Sequence, residues 1–115
     1  MVKIDAYSAG SMTVNGTQHR KDLKIINDRV ISEWWRDRDH RLDIGDVEDI
    51  LSADPEVLVV GTGYAENMRV EEPLLSRLEK KKIQLVDQDT HTAVKSFNEL
   101  REKGRDVAGA FHLTC

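Results

Sequence analysis

Apolar positions along the chain change rhythm twice. In the first third they come as short β-rich clusters, Lys3 to Ser8 and Ser11 to Val14, followed by Asn15-Gly16. Both residues of that dipeptide tolerate positive φ, which predicts a two-residue hairpin. Leu23 to Ile26 and Val30 to Trp34 flank the polar turn Asn27-Asp28-Arg29 and predict a second hairpin. The spacing then lengthens. Ile44, Val47, Ile50 and Leu51 give one apolar face of a short helix that Asp43 can cap and Asp54-Pro55 ends.

From Val57 strands and helices alternate. Val57-Leu58-Val59-Val60 is an unbroken apolar run, as in a strand buried on both faces, and it leads straight into Gly61-Thr62-Gly63. Glu71 and Glu72 precede Pro73 at a helix start, with Val70, Leu74, Leu75 and Leu78 as the buried stripe. Ile83 to Val86 is the next strand. Asp87-Gln88-Asp89-Thr90 leads into a helix from about Thr92 to Lys103, with Ala93, Val94, Phe97 and Leu100 inward and Gly104 as its left-handed cap. Val107 to Leu113 closes the pattern as a strand. Strand, helix, strand, helix, strand at this spacing needs crossover connections, so the central sheet is expected to be partly parallel. The fold class expected is α/β: a single three-layer domain over residues 1–115, with a mixed central sheet, N-terminal β-hairpins and a C-terminal β-α-β-α-β unit.

Composition narrows the partners. The 115 residues carry 17 basic and 21 acidic side chains, a formal net charge of −4. Binding to a phosphate backbone through counterion release is therefore not expected. The densest basic run, Lys80-Lys81-Lys82, falls at a helix end where cations complement the dipole. Cys115 is the single cysteine, so no internal disulfide forms and nothing points to an oxidising compartment. Met1 to Tyr7 has an acid at position 5 and no signal-like apolar run, and no segment approaches the ~20 apolar residues that cross a bilayer. A soluble, cytoplasmic protein that meets neither nucleic acid nor membrane is expected.

Three groups of residues carry candidate chemistry. Gly61, Thr62 and Gly63 lie at the carboxyl end of a central strand, and Asp89, Thr90 and Thr92 follow the neighbouring one. Together they outline a crevice where open α/β sheets bind ligands. The plainer reading is a structural turn beside a helix cap. A dinucleotide fingerprint would require a glycine at position 66, where the chain has Glu66. His112 and Cys115 have a ligand-like spacing, but one pair does not make a structural zinc site, and neither metal nor cofactor is expected. Trp34 and Trp35 are adjacent, so in a strand one faces the core and the other outward. The outward ring is a candidate interface residue, with the charged run Arg36 to Arg41 as a solvated rim.

Leu58-Val59-Val60-Gly61-Thr62-Gly63, Asp89-Thr90 with Ala93, Phe97-Asn98-x-Leu100 and Ala110-Phe111-His112-Leu113-Thr114-Cys115 occur in an order that resembles a small uncharacterised domain family of archaea and bacteria. Ser32-x-Trp34-Trp35 and His40-x-Leu42 extend the resemblance over nearly the whole chain. The family is related to the mitochondrial complex I assembly factor three and to the adipogenesis-associated domain-containing protein. The resemblance implies a three-layer α/β domain with a mixed sheet and no established catalytic activity. Its eukaryotic relatives act in assembly or regulation through partners. Lys82 stands where relatives often place a glycine. The leading functional expectation is a non-catalytic binding or assembly module. The alternative is a small-molecule-binding protein or enzyme using the crevice at Gly61–Gly63 and Asp89–Thr92. Association with a protein partner, or with further copies of the chain through the exposed tryptophan or the last strand, is left open.

Overall fold

A computed structural model describes all 115 residues. The strands are β1 (Ile4–Ser8), β2 (Ser11–Val14), β3 (Thr17–His19), β4 (Leu23–Ile26), β5 (Arg29–Ile31), β6 (Arg41–Leu42), β7 (Val57–Thr62), β8 (Arg69–Val70), β9 (Gln84–Gln88) and β10 (Val107–His112). The helices are α1 (Glu48–Ala53), α2 (Glu72–Lys81) and α3 (Thr90–Glu102), and a single 3-10 turn, Ile44–Asp46, precedes α1.

The hairpin chemistry acts as its residue types dictate. Asn15 and Gly16 take φ of 48° and 82° and join β2 to β3; Asn27 and Asp28 take 49° and 62° and join β4 to β5. The central sheet runs β5-β4-β10-β7-β9. β10 pairs in parallel with β7, β7 in parallel with β9, and β10 antiparallel with β4, so the sheet is mixed as expected. β1, β2 and β3 form a separate antiparallel sheet, and β6 pairs with β8 as a short parallel ribbon.

Side-chain alternation along the central strands separates two cores. Val57 and Val59, Leu23 and Ile25, and Val107 and Phe111 face Ala93, Val94 and Phe97 of α3 together with Ile4, Met12 and Val14 of the small sheet. Leu58 and Val60, Ile26, and Ala108 and Ala110 face Ile50 and Leu51 of α1 and Leu74 and Leu78 of α2, with Trp34 from a loop and Leu42 from β6. The expected three layers are present, with α3 sharing its side with the hairpins. His112 has the same parity as Ala108 and Ala110. It therefore emerges on the α1 and α2 side, at the carboxyl end of a fully buried strand.

Several local expectations need correction. β5 ends at Ile31, because Glu33 turns the chain with φ of 52°, so Trp34 and Trp35 lie in a loop and not in a strand. α3 starts at Thr90, with Asp89 as its N-cap accepting from Thr92 N–H at 3.0 Å. Lys82 does adopt the left-handed conformation that a glycine would favour, with φ of 59° and ψ of 36°. β9 starts one residue later than the apolar run Ile83 to Val86 indicates and runs two residues further, spanning Gln84–Gln88 in unbroken register with β7.

Candidate functional site

The Gly61–Gly63 turn and Thr90 are brought together, and their polar groups are used on one another. Gly63 N–H donates to Thr90 Oγ1 at 2.9 Å, Thr90 Oγ1 donates to the His112 carbonyl at 2.6 Å, and Thr62 Oγ1 donates to the Gln88 carbonyl at 3.0 Å. Asp89 Oδ2 accepts from Thr92 Oγ1 at 2.7 Å, and the hydrogen bonds from Thr92 hold the Asp89 carboxyl below its ordinary value. Residues 114 and 115 pack across the turn. Tyr64 N–H donates to the Thr114 carbonyl and Asn67 N–H to that of Cys115, each at 3.0 Å. None of the six residues lines a cavity.

Gly63 is required here by conformation and by space. Its φ is 105°, and a Cβ at that position would lie 2.2 Å from the Cys115 carbonyl carbon. Gly63→Ala is therefore expected to detach the Thr114–Cys115 segment, with a loss of roughly 2 kcal/mol from strain and broken hydrogen bonds. A urea melt measures the stability, and amide exchange at Tyr64 and Asn67 reports the detachment. Unchanged protection of those two amides would contradict it.

On the other side of the same strand end lies a cleft of about 400 Å³, lined by residues 20–22, 34–36, 39 and 40 and by His112, Thr114 and Cys115. It is built on a cluster of three side chains from distant parts of the chain. Asp22 immediately precedes β4, and its Oδ1 accepts from Leu113 N–H at 2.8 Å. Its Oδ2 lies 2.8 Å from His112 Nδ1 and 2.8 Å from Arg36 Nη1. The Arg36 side chain is only 3 % exposed. It is held over the Trp34 ring at 4.8 Å from the centroid, and its Nη2 donates to the Asp39 carbonyl at 2.7 Å. Trp34 Nε1 in turn donates to the Asp46 carbonyl at 3.1 Å, fixing the ring on which the guanidinium rests.

These contacts assign the His112 tautomer. Nδ1 lies 2.8 Å from the Asp22 carboxylate and 3.1 Å from Arg36 Nη2. A lone pair on Nδ1 would oppose the carboxylate at the shorter of the two contacts, so Nδ1 carries the proton and donates to Asp22. Nε2 is left as an acceptor. It is buried and has no hydrogen-bond partner in the protein, on a residue only 4 % exposed. The His40 ring meets the His112 ring edge-on at 5.6 Å. For Asp22, burial raises the carboxyl, but hydrogen bonds from His112, Leu113 N–H and Arg36 outweigh it and hold the group below its ordinary value.

The strand exit that carries His112 is clamped from both sides. The Leu113 carbonyl accepts from the Tyr7 hydroxyl at 2.8 Å and from Gly10 N–H at 2.7 Å, and burial raises the Tyr7 pKa. The two tryptophans divide as adjacent rings commonly do. Trp34 is 7 % exposed and belongs to the core; Trp35 is 70 % exposed at the cleft rim, with Lys21 Nζ 5.6 Å from its ring centroid. Arg36 corrects the sequence reading, since the run that it opens was expected to be wholly solvated.

Asp22 and Arg36 do not stand out in the sequence as site residues, and His112 does so only through its spacing to Cys115. The usable signal was an acid abutting the all-apolar strand Leu23–Ile26, together with a histidine ending an apolar strand. No group of three or more His, Cys, Asp or Glu side chains is placed to hold a metal ion. No helix is long and apolar enough to cross a membrane.

Fold and cleft together define a small three-layer α/β domain with a polar site at the carboxyl end of its parallel strands. Residues 4–112 match the family described as protein of unknown function (DUF498/DUF598). The chain belongs to that family. It is similar to the conserved hypothetical protein PH1505 of Pyrococcus horikoshii OT3, with 25% identity, 98% of this chain and 99% of that one covered, and a TM-score of 0.83. It is also similar to a protein of Bartonella henselae described as an outer membrane protein, with 28% identity, coverage of 99% and 96%, and a TM-score of 0.76. The Xanthomonas campestris protein XCC1710, at 20% identity with coverage of 98% and 85%, shares the fold at a TM-score of 0.84.

Proposed function

We propose that the protein is a non-catalytic binding module of the cytoplasm and that the cleft beside His112 is where it engages its ligand. One observation carries the reading: a roughly 400 Å³ cleft is built on the buried Asp22–Arg36 ion pair with His112 hydrogen-bonded to its carboxylate, and with an exposed tryptophan at its rim. Burying charged groups costs several kcal/mol per ion, so such a cluster is a poor way to gain stability and is better explained by the site it holds in shape. Large rings such as Trp35 supply much of the binding energy at recognition surfaces. The single cysteine supports the compartment. The alternative crevice at Gly61–Gly63 and Asp89–Thr92 has less support, because its polar groups bond to one another and to the chain.

The test is an NMR screen of a fragment library against the isotope-labelled protein. Hits are expected to shift the amides of residues 20–22, 34–40 and 112–115; hits scattered over other surfaces would contradict the reading. Trp35→Ala should weaken those hits while leaving stability within about 0.5 kcal/mol of wild type, since the ring is mostly in solvent. Thermal melts of the two proteins check the second part.

A further inference from the structure

We propose that the cleft takes a small anion that also carries a hydrogen-bond donor, a hydroxycarboxylate being the simplest such ligand, with Arg20 and Lys21 meeting its charge and His112 Nε2 accepting from its hydroxyl. The inference rests on the reading of the cleft as the binding site and adds the ligand's chemistry.

Two independent observations converge on it. The first is charge. Asp22 and Arg36 are paired with each other, whereas Arg20 and Lys21 are exposed and form no ion pair. Arg20, Lys21 and Arg36 against Asp22 and Asp39 leave the side chains lining the cleft with one excess positive charge, on a chain whose net charge is −4. A cationic depression on an acidic surface selects small anions and repels little that is neutral.

The second is His112. With Asp22 holding the proton on Nδ1, Nε2 of the neutral ring can only accept, and it is buried with nothing donating to it. An orphaned buried acceptor costs about 1–3 kcal/mol, a cost that a donor from a bound molecule would remove. Anion and donor on one small molecule describe a hydroxy acid. The same pair of requirements discriminates sharply against the deoxy analogue, which would leave Nε2 orphaned while displacing water from the cleft.

Calorimetric titration of the full chain with racemic malate and with succinate tests this directly, because the two dicarboxylates differ by one hydroxyl. Malate is expected to bind about tenfold more tightly than succinate. His112→Asn keeps an amide N–H where Nδ1–H donates to Asp22 and removes Nε2; it should bring malate down to the succinate level with succinate nearly unchanged. Arg20→Ala with Lys21→Ala, at exposed positions that leave folding intact, should weaken both acids together. Equal affinity of the wild type for the two acids, or a malate preference that survives in His112→Asn, would overturn the proposal. Fragments that bind the cleft while neither acid does would overturn it too, yet leave the binding site itself standing.

Discussion

Replacing Asp22 with alanine is expected to destabilise the protein by about 3–5 kcal/mol, the range for removing one partner of a buried ion pair. The single carboxylate accepts from His112 Nδ1 and Leu113 N–H and is the counterion of the Arg36 guanidinium. Without it Arg36 is a buried charge with no counterion, His112 loses the contact that sets its tautomer, and the end of β10 loses a backbone anchor. Chemical denaturation of wild type and variant at neutral pH gives the difference. The pH dependence follows from the direction of the shift. Because the folded-state value is depressed below 3.8, the stabilisation is complete well above that pH and is lost as pH falls through 3.8 towards the folded value. The gap between wild type and Asp22→Ala should therefore narrow on acidification. A gap that widened would contradict the assignment of charge.

Phe97→Ala is expected to cost about as much, 3–5 kcal/mol, through lost transfer energy and a cavity that cannot collapse. Phe97 is fully buried between α3 and the sheet and meets Phe111 edge-to-face, with centroids 5.8 Å apart and planes at 81°. Gly109 sits beneath both rings: a Cβ there would lie 2.4 Å from Phe111 Cε2 and 3.3 Å from Phe97 Cδ2. The glycine in the middle of β10 is thus a packing requirement of the aromatic pair, and the backbone around it is held from both sides of the sheet. Equilibrium urea unfolding measures the loss; a value under about 1 kcal/mol would show that the site collapses around the smaller side chain.

What the sequence disclosed was what depends on short-range pattern. The turns at Asn15-Gly16 and Asn27-Asp28, the buried Leu74 and Leu78 of α2, and the unbroken run before Gly61 all carry their conformational preference within a few residues, whereas Val70, expected in the same helix stripe, lies in β8 and Leu75 is only half-buried. That the central sheet is partly parallel also followed, since strand–helix–strand spacing needs crossover connections, but that β7 lies between β10 and β9 did not. The site did not. Asp22, Arg36 and His112 are separated by 14 and 76 residues, and nothing local says that an arginine in an alternating-charge loop will be drawn inward. That happens because Trp34 packs into the core with its N–H on Asp46, so the residue two further on crosses the indole face and reaches Asp22. The Gly-Thr-Gly turn marks a place on the sheet, the carboxyl end of a central strand. Its glycine is explained by the neighbouring chain that crosses it, and its hydrogen bonds by Thr90, which links the ends of β7 and β10.

Thr90 matters to the cleft even though it does not line it. By accepting from Gly63 and donating to the His112 carbonyl, it fixes the backbone from which the imidazole projects, while Asp22 fixes the ring. The site is therefore set by two short hydrogen-bonded bridges on opposite sides of one strand end. A tautomer held this way should not exchange freely as it does for a solvated histidine.

The His112 tautomer decides whether the cleft offers a free acceptor. Long-range proton–nitrogen NMR correlation of the His112 ring, in the ligand-free protein above the histidine titration range, should report a protonated Nδ1 and an unprotonated Nε2. A proton found on Nε2 would mean that Asp22 does not orient the ring and that no acceptor waits in the cleft.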